Sequence, residues 1–296
     1  MKILVTGAKG LLGEKLTQLL DTNPDIDLVA TARSPLSFPL RRGTFTSLDI
    51  THQLEVADVM ESWRPDVVIN TAAMTQVDQC ETERAKCWLA NATAVEYLAG
   101  ACKKIQARLI HVSTDFIFDG TRKLLKEDAQ PAPVNFYGES KLAGEEALKR
   151  SGADWAIART VLVYGVATDP GRSNIVLWVK KNLEEGKSIN VVNDQWRTPT
   201  LAEDLAMGCY LMAIKEARGI FHISGEELMT PYDIAVATAR FFNLDGSLLK
   251  PTDSSRFRQP ALRPLKTGFD ISKAKMELGY SPHTFQQGLS LMSGKG

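Results

Sequence analysis

An α/β fold on a doubly wound parallel sheet is predicted by three features of this 296-residue sequence: strands alternate with helices, the strands are apolar throughout, and a glycine-rich turn follows the first of them. Strand runs lie at 3–6, 28–31, 67–70, 109–113 and 155–159, and helical patterns at 10–20, 54–62, 87–103 and 137–149. "DVVIN" and "RLIHVS" lack the polar alternation of a sheet with one wet face, so helices are expected on both sides. The stretch from 115 to 136, with Gly120, Pro131 and Pro133, is longer than the usual connection of roughly two to six residues and reads as a functional loop.

Beyond about residue 165 the pattern changes. Helical stretches at 175–185, 201–216 and 231–242 are separated by the short strands "INVVN" and "GIFHIS". The predicted organisation is a cofactor domain at 1–165, completed by parts of 187–223, with a smaller C-terminal substrate lobe from 166–186 and 224–296.

Charge and cysteines narrow the function classes. Lys plus Arg equals Asp plus Glu at 35 each, which gives no electrostatic footprint for nucleic acid. Cys80, Cys87, Cys102 and Cys209 form no CxxC pair, so neither a metal site nor a disulfide framework is expected, and a reducing, cytoplasmic setting fits. Thr6 and Gly7 interrupt the first apolar run well short of a signal sequence, and no run approaches the ~18 apolar residues of a membrane span, so no membrane association is expected.

"TGAKGLLG" places Gly7, Gly10 and Gly13 in a GxxGxxG pattern, with Lys9, Leu11 and Leu12 in the same turn. A pyrophosphate needs backbone without Cβ where it approaches and the amides of a helix N-terminus behind it, which is the dinucleotide site of a Rossmann fold. An ordinary tight turn is the alternative. At the end of the second strand, "ATARS" offers Thr31, Arg33 and Ser34 where an NAD enzyme carries an acid, which favours the ribose 2′-phosphate of NADPH over NADH. Asp49 and Ile50 are expected to end the third strand, beside the adenine.

"NFYGESKLAGEE" sets Tyr137 and Lys141 one helical turn apart, about 6 Å along the axis. A lysine ammonium there is expected to pull the phenol below its ordinary pKa of about 10. Ser113 and Thr114 end the preceding strand, with hydroxyls that can reach a substrate carbonyl oxygen.

The glycine turn, strand-end "NTAA", Asn91 on a helix, strand-end "STD" and YxxxK, in this order, resemble the extended short-chain dehydrogenase/reductase family. "HVSTDFIFDG", "PVNFYGESKLAGEEAL", "VVNDQWRTPTLAEDLA" and a late "RP" followed by "FDISKAKMELGY" are similar to the dTDP-4-dehydrorhamnose reductase family within it. "GIFHISGEELMTPYDIA" is also similar to the regulatory β subunit of methionine adenosyltransferase.

The resemblance implies a catalytic triad of Thr114, Tyr137 and Lys141, with NADPH reducing the 4-keto group of a nucleotide-linked 6-deoxy sugar. It implies cofactor contacts from Ala72, Ala73, Thr75, Asn91, Ser113, Tyr137 and Lys141. Substrate contacts are implied for Thr75, Val77, Thr114, Asp115, Phe116, Asn193, Gln195, Trp196, Arg197 and Arg263, the two arginines serving a diphosphate. Leu162 stands where those reductases commonly carry a tryptophan, and Trp196 is a candidate replacement. The alternatives are a regulatory NADP-binding subunit and a nucleotide-sugar epimerase, the latter disfavoured by the missing acid after the second strand. A homodimer through the helix at 87–103 is a further expectation.

Overall fold

The computed structural model describes residues 1–169, 171, 173–256 and 259–294. β1 (Lys2–Thr6) leads through the glycine turn into α1 (Leu11–Asp21), followed by β2 (Asp27–Ala32), β3 (Thr44–Ser47), α2 (Gln53–Trp63) and β4 (Val67–Asn70). Next come α3 (Val77–Thr82), α4 (Arg84–Trp88) and α5 (Ala94–Ile105), the last two joined by a π-turn at Leu89–Thr93. β5 (Arg108–Thr114) ends in a single turn at Asp115–Ile117, before β6 (Thr121–Leu125), α6 (Phe136–Arg150), β7 (Asp154–Thr160) and β8 (Val163–Tyr164). The remainder holds α7 (Ile175–Glu184), β9 (Ile189–Val192), β10 (Thr200–Leu201), α8 (Ala202–Ile214), β11 (Gly219–His222), α9 (Pro231–Phe241), β12 (Leu249–Thr252), β13 (Lys266–Phe269) and α10 (Phe285–Met292).

Among the described residues, seven strands form one sheet in the order β11-β7-β5-β4-β1-β2-β3, every pair parallel. The chain walks outward from β1 to β3 and then returns to lay β4 on the other side of β1. Thr6, at the end of β1, therefore lies beside both Thr31 and Asn70. Strand order reverses at β1 and β4, and the crevice beyond their carboxyl ends is where such sheets take ligands.

Alternation along the strands feeds both faces. Ile3, Val5, Ile69 and Ile110 pack with Leu16 and Leu20 of α1 and with Leu205 and Met212 of α8. Leu4, Val68, Leu109 and Ile157 pack on the opposite face with Val56 and Met60 of α2, Leu98 of α5 and Leu148 of α6. Truncating one of these leucines to alanine is expected to cost about 2–5 kcal/mol. A separate core joins Val179 and Leu183 of α7, Ile189 and Val191 of β9, and Ala235 and Ala239 of α9. The chain starts α9 with a capping box, Thr230 and Asp233 closing reciprocally around Pro231.

Several boundaries differ from the sequence reading. β3 ends at Ser47, so Asp49 and Ile50 sit beyond the strand, not at its end. The helix expected at 87–103 begins at Arg84 and is interrupted by the π-turn. The long stretch after β5 contains β6, which pairs in parallel with β13. "GIFHIS" becomes β11 and adds to the edge of the main sheet beside β7, whereas "INVVN" becomes β9 and pairs with β12. Among the described residues no helix is long and apolar enough to cross a membrane.

Candidate active site

The glycine turn opens on a cavity of about 630 Å³, a size suited to a small-molecule ligand. Gly7 adopts φ +70°, and a Cβ there would stand 2.8 Å from the Ala72 backbone, so the ends of β1 and β4 touch only because the side chain is absent. At Gly13 a Cβ would fall 2.1 Å from the Gly7 carbonyl oxygen; this glycine lets α1 seat against the turn. Gly10 precedes α1 with no side-chain cap, which leaves the first-turn amides of Leu11, Leu12 and Gly13 without partners inside the helix.

From the sequence-derived cofactor set, Gly7, Lys9, Gly10, Arg33, Ser34, Asp49, Ile50, Ala72 and Ala73 line this one cavity. Lys9 Nζ donates to Ser34 Oγ at 2.8 Å, which gathers two polar groups next to Arg33. Burial pushes the Asp49 carboxyl up, but hydrogen bonds from the Thr51 amide and hydroxyl, with Arg33 nearby, hold it below its ordinary value. Gln79, Glu83, Lys86 and Ala90 also line the cavity and were not singled out from sequence. They lie on α3, on the residue that separates it from α4, on α4 and on the π-turn, a broken path that their spacing in the sequence does not show. Met74 and Asp169 join the lining without any such pattern.

Met74, which lines the cavity, also packs into a cluster holding Tyr137, Cys80, Cys87 and Phe116. Asn135 caps α6 by accepting the Gly138 amide at 2.8 Å, which fixes Tyr137 in the first helical turn. The Phe116 ring meets the Tyr137 ring edge-on at 5.7 Å. Thr114 ends β5 almost fully buried, and Ser113 beside it has a buried hydroxyl with no hydrogen-bond partner.

The expected lowering of the Tyr137 phenol by Lys141 is not found. Burial raises the phenol pKa far above its ordinary value, against a smaller opposing pull from Thr114. Lys141 is turned toward β5, donating to the Val112 carbonyl at 2.7 Å and lying 3.1 Å from His111 Nε2. Burial pushes the lysine down to about 8, although Glu145 and Cys87 favour its charge.

Other predicted contacts have different employment. Asn91, expected to touch the cofactor, is 1% exposed and exchanges two hydrogen bonds with the Met74 backbone, at 2.9 and 3.0 Å, while reaching Ser140 at 3.0 Å. It pins the loop after β4 to the π-turn. Asp115 and Arg197, expected at the substrate, face each other at 3.4 Å and are both buried. Thr267 donates to Asp115, and Arg197 gives three further donors to the carbonyls of Trp196, Pro264 and Leu265. Both are committed to partners within the protein.

Arg263 is held by Asp78 through bonds of 2.6 and 2.8 Å. The Trp196 ring lies under the Lys123 ammonium at 3.9 Å, and its amide donates to Leu265, so it does not replace the missing tryptophan as a free platform. Leu162 itself takes φ +39° directly before β8. Thr75 is exposed, Val77 begins α3, Asn193 is exposed and donates its amide to Thr252, and Gln195 is half-buried; none of these lines the cavity.

The sequence matches the family model described as the RmlD substrate binding domain over residues 1–295. It is 35% identical over 283 residues to a dTDP-4-keto-6-deoxy-D-glucose reductase of Streptomyces niveus, covering 94% of this chain and 91% of the relative. It is 33% identical over 285 residues to the methionine adenosyltransferase 2 subunit beta of Xenopus laevis, covering 94% and 83% of the two chains. Among solved structures, a dTDP-4-dehydrorhamnose reductase from Bacillus anthracis in complex with NADP superimposes with a TM-score of 0.87 at 28% identity, covering 100% of this chain and 99% of the other.

Proposed function

Because the chain belongs to the RmlD substrate-binding-domain family and is an NAD(P)-dependent oxidoreductase, we propose that it uses NADPH to reduce the 4-keto group of a nucleotide-linked 6-deoxy sugar. The substrate assigned is dTDP-4-dehydro-L-rhamnose and the product dTDP-L-rhamnose. The observation that carries the reading is the buried Tyr137, hydrogen-bonded to the buried Thr114 and packed against Met74, which itself lines the cavity that starts at the glycine turn.

The residues fit the cofactor. The Gly7 and Gly13 backbone and the amides of α1 would hold the pyrophosphate. Lys9, Arg33 and Ser34 would meet the 2′-phosphate, a cluster with no purpose for NADH. When bound, NADPH supplies the hydride. Tyr137 gives its phenolic proton to the sugar oxygen as charge develops there, and Thr114 hydrogen-bonds the same oxygen. The raised phenol pKa keeps Tyr137 protonated throughout the neutral range.

Loss of NADPH absorbance with dTDP-4-dehydro-L-rhamnose tests this. Tyr137→Phe is expected to lower kcat by about 10²–10⁴-fold; equal rates for parent and variant would refute the assignment. A second reading, a regulatory NADP-binding subunit, draws on the likeness to the methionine adenosyltransferase 2 subunit beta. It requires NADP binding together with no turnover of any 4-keto sugar nucleotide.

A further inference from the structure

Lys141 ends a line of hydrogen bonds that starts at the turn after β4. The Ala72 amide donates to Asn70 Oδ1 at 3.2 Å, and the Thr6 hydroxyl donates to the same oxygen at 2.6 Å. A backbone N–H cannot accept a hydrogen bond, so the Asn70 atom facing Ala72 is the oxygen, and the amide nitrogen is the one facing His111. Asn70 Nδ2 stands 3.0 Å from His111 Nδ1, and His111 Nε2 stands 3.1 Å from Lys141 Nζ.

With Asn70 donating, Nδ1 is the acceptor of the imidazole, and the one proton of a neutral ring sits on Nε2. The ring is neutral: it is fully buried, and burial holds its pKa well below 6.5. Its Nε2–H therefore points at Lys141 Nζ. An ammonium has no lone pair to receive that proton, whereas an amine accepts it and still donates to the Val112 carbonyl at 2.7 Å.

We propose that His111 is a positioning residue that holds Lys141 as a neutral amine turned toward β5, and that protonation of Lys141 breaks this contact. The proposal rests on the reading of Lys141 as part of the reductase site. Uptake of a solvent proton uses the amine lone pair to form a new N–H bond, which leaves two donors opposed and drives the lysine off His111. Of the titratable groups around Lys141, Glu145 and Cys87 favour its charge, and burial outweighs them. Glu145, one turn further along α6, is already paired with Arg159 at 2.7 and 3.0 Å. Cys87 of α4 is bonded to Ser140 at 3.2 Å, and Tyr137 of α6 stays neutral.

Nitrogen-15 NMR of the histidine-labelled full chain, without cofactor or sugar, reads the tautomer directly. Nε2 is expected to be protonated and Nδ1 bare; the opposite tautomer overturns the proposal. Carbon-13 titration of the lysine Cε should give Lys141 a midpoint of about 8, and a midpoint near the ordinary value of roughly 10.4 also overturns it. Asn70→Asp keeps an acceptor for Ala72 but accepts from His111 Nδ1–H. The tautomer should then invert, and the Lys141 midpoint rise by about one pH unit as the ring turns its lone pair toward the ammonium and the new carboxylate adds its charge; an uninverted tautomer overturns the proposal. None of these readouts needs turnover, so failure of the sugar assay and failure of this inference are told apart.

Discussion

The two sides of the site are made of different material. On the cofactor side the contacts come from backbone, glycine, alanine and strand ends: Gly7 against Ala72, Gly13 against Gly7, and the uncapped start of α1. Where substrate contacts were expected from the sequence, the residues are charged side chains, and Asp115, Arg197 and Arg263 have already found partners within the protein. A cradle of backbone is complete before any ligand arrives. A pair of buried opposite charges is complete as well, but its completeness removes it from the ligand's reach.

The comparison can be broken most severely at Arg197. Arg197→Ala leaves Asp115 buried without its cation and is expected to cost about 3–5 kcal/mol of folding stability, read from denaturant midpoints. A variant as stable as the parent, with only a raised KM for the sugar nucleotide, would return Arg197 to the diphosphate. On the other side, Gly13→Ala forces a methyl against the Gly7 carbonyl; a loss of about 1–3 kcal/mol with weaker NADPH binding is expected. Unchanged cofactor affinity would mean that the cradle yields easily.

Arg33→Ala should remove a charge-assisted contact of about 1.5 kcal/mol, roughly tenfold in the ratio of NADPH to NADH affinity. A constant ratio in fluorescence titrations would leave Lys9 and Ser34 as the discriminating pair. The smallest effect is expected at Asp78→Asn, about 0.5 kcal/mol for an ion pair in partial contact with water. Hydrogen bonds from Arg263 hold the Asp78 carboxyl below its ordinary value. Its contribution is therefore complete above the unfolded carboxylate pKa of about 3.9 and is lost as pH falls through the lower folded value. Parent and variant melting curves should converge on acidification, and a gap that persists at low pH would contradict the pairing.

The same division decides what could be read from sequence. The strands of the main sheet are apolar on both faces, so "KILVT", "VVIN" and "RLIHVS" could be placed without knowing their neighbours. The glycine spacing of the cradle is visible because a missing Cβ is written in the chain itself. β6 was hidden because "TRKLL" is mostly exposed and its partner β13 lies some 140 residues later. Arg197 and Asp115 were found as residue types, but each one's destination is set by the other. His111 stood in plain view inside "HVSTD", and only the geometry of Asn70 and Lys141 gave it a role.

The pairing of β11 with β7 also has a consequence for biosynthesis. Until His222 has left the ribosome, the edge of β7 presents its row of unpaired N–H and C=O groups to whatever chain is near. At about 5–20 residues per second, the stretch from Val161 to His222 keeps that edge open for roughly 3–12 s on each nascent chain. During that interval the growing polypeptide is a target for edge-to-edge aggregation and for chaperones that recognise extended strands. Ribosome-bound fragments ending before residue 219 should be held by such chaperones, and fragments extending past 222 by enough residues to clear the exit tunnel should be released.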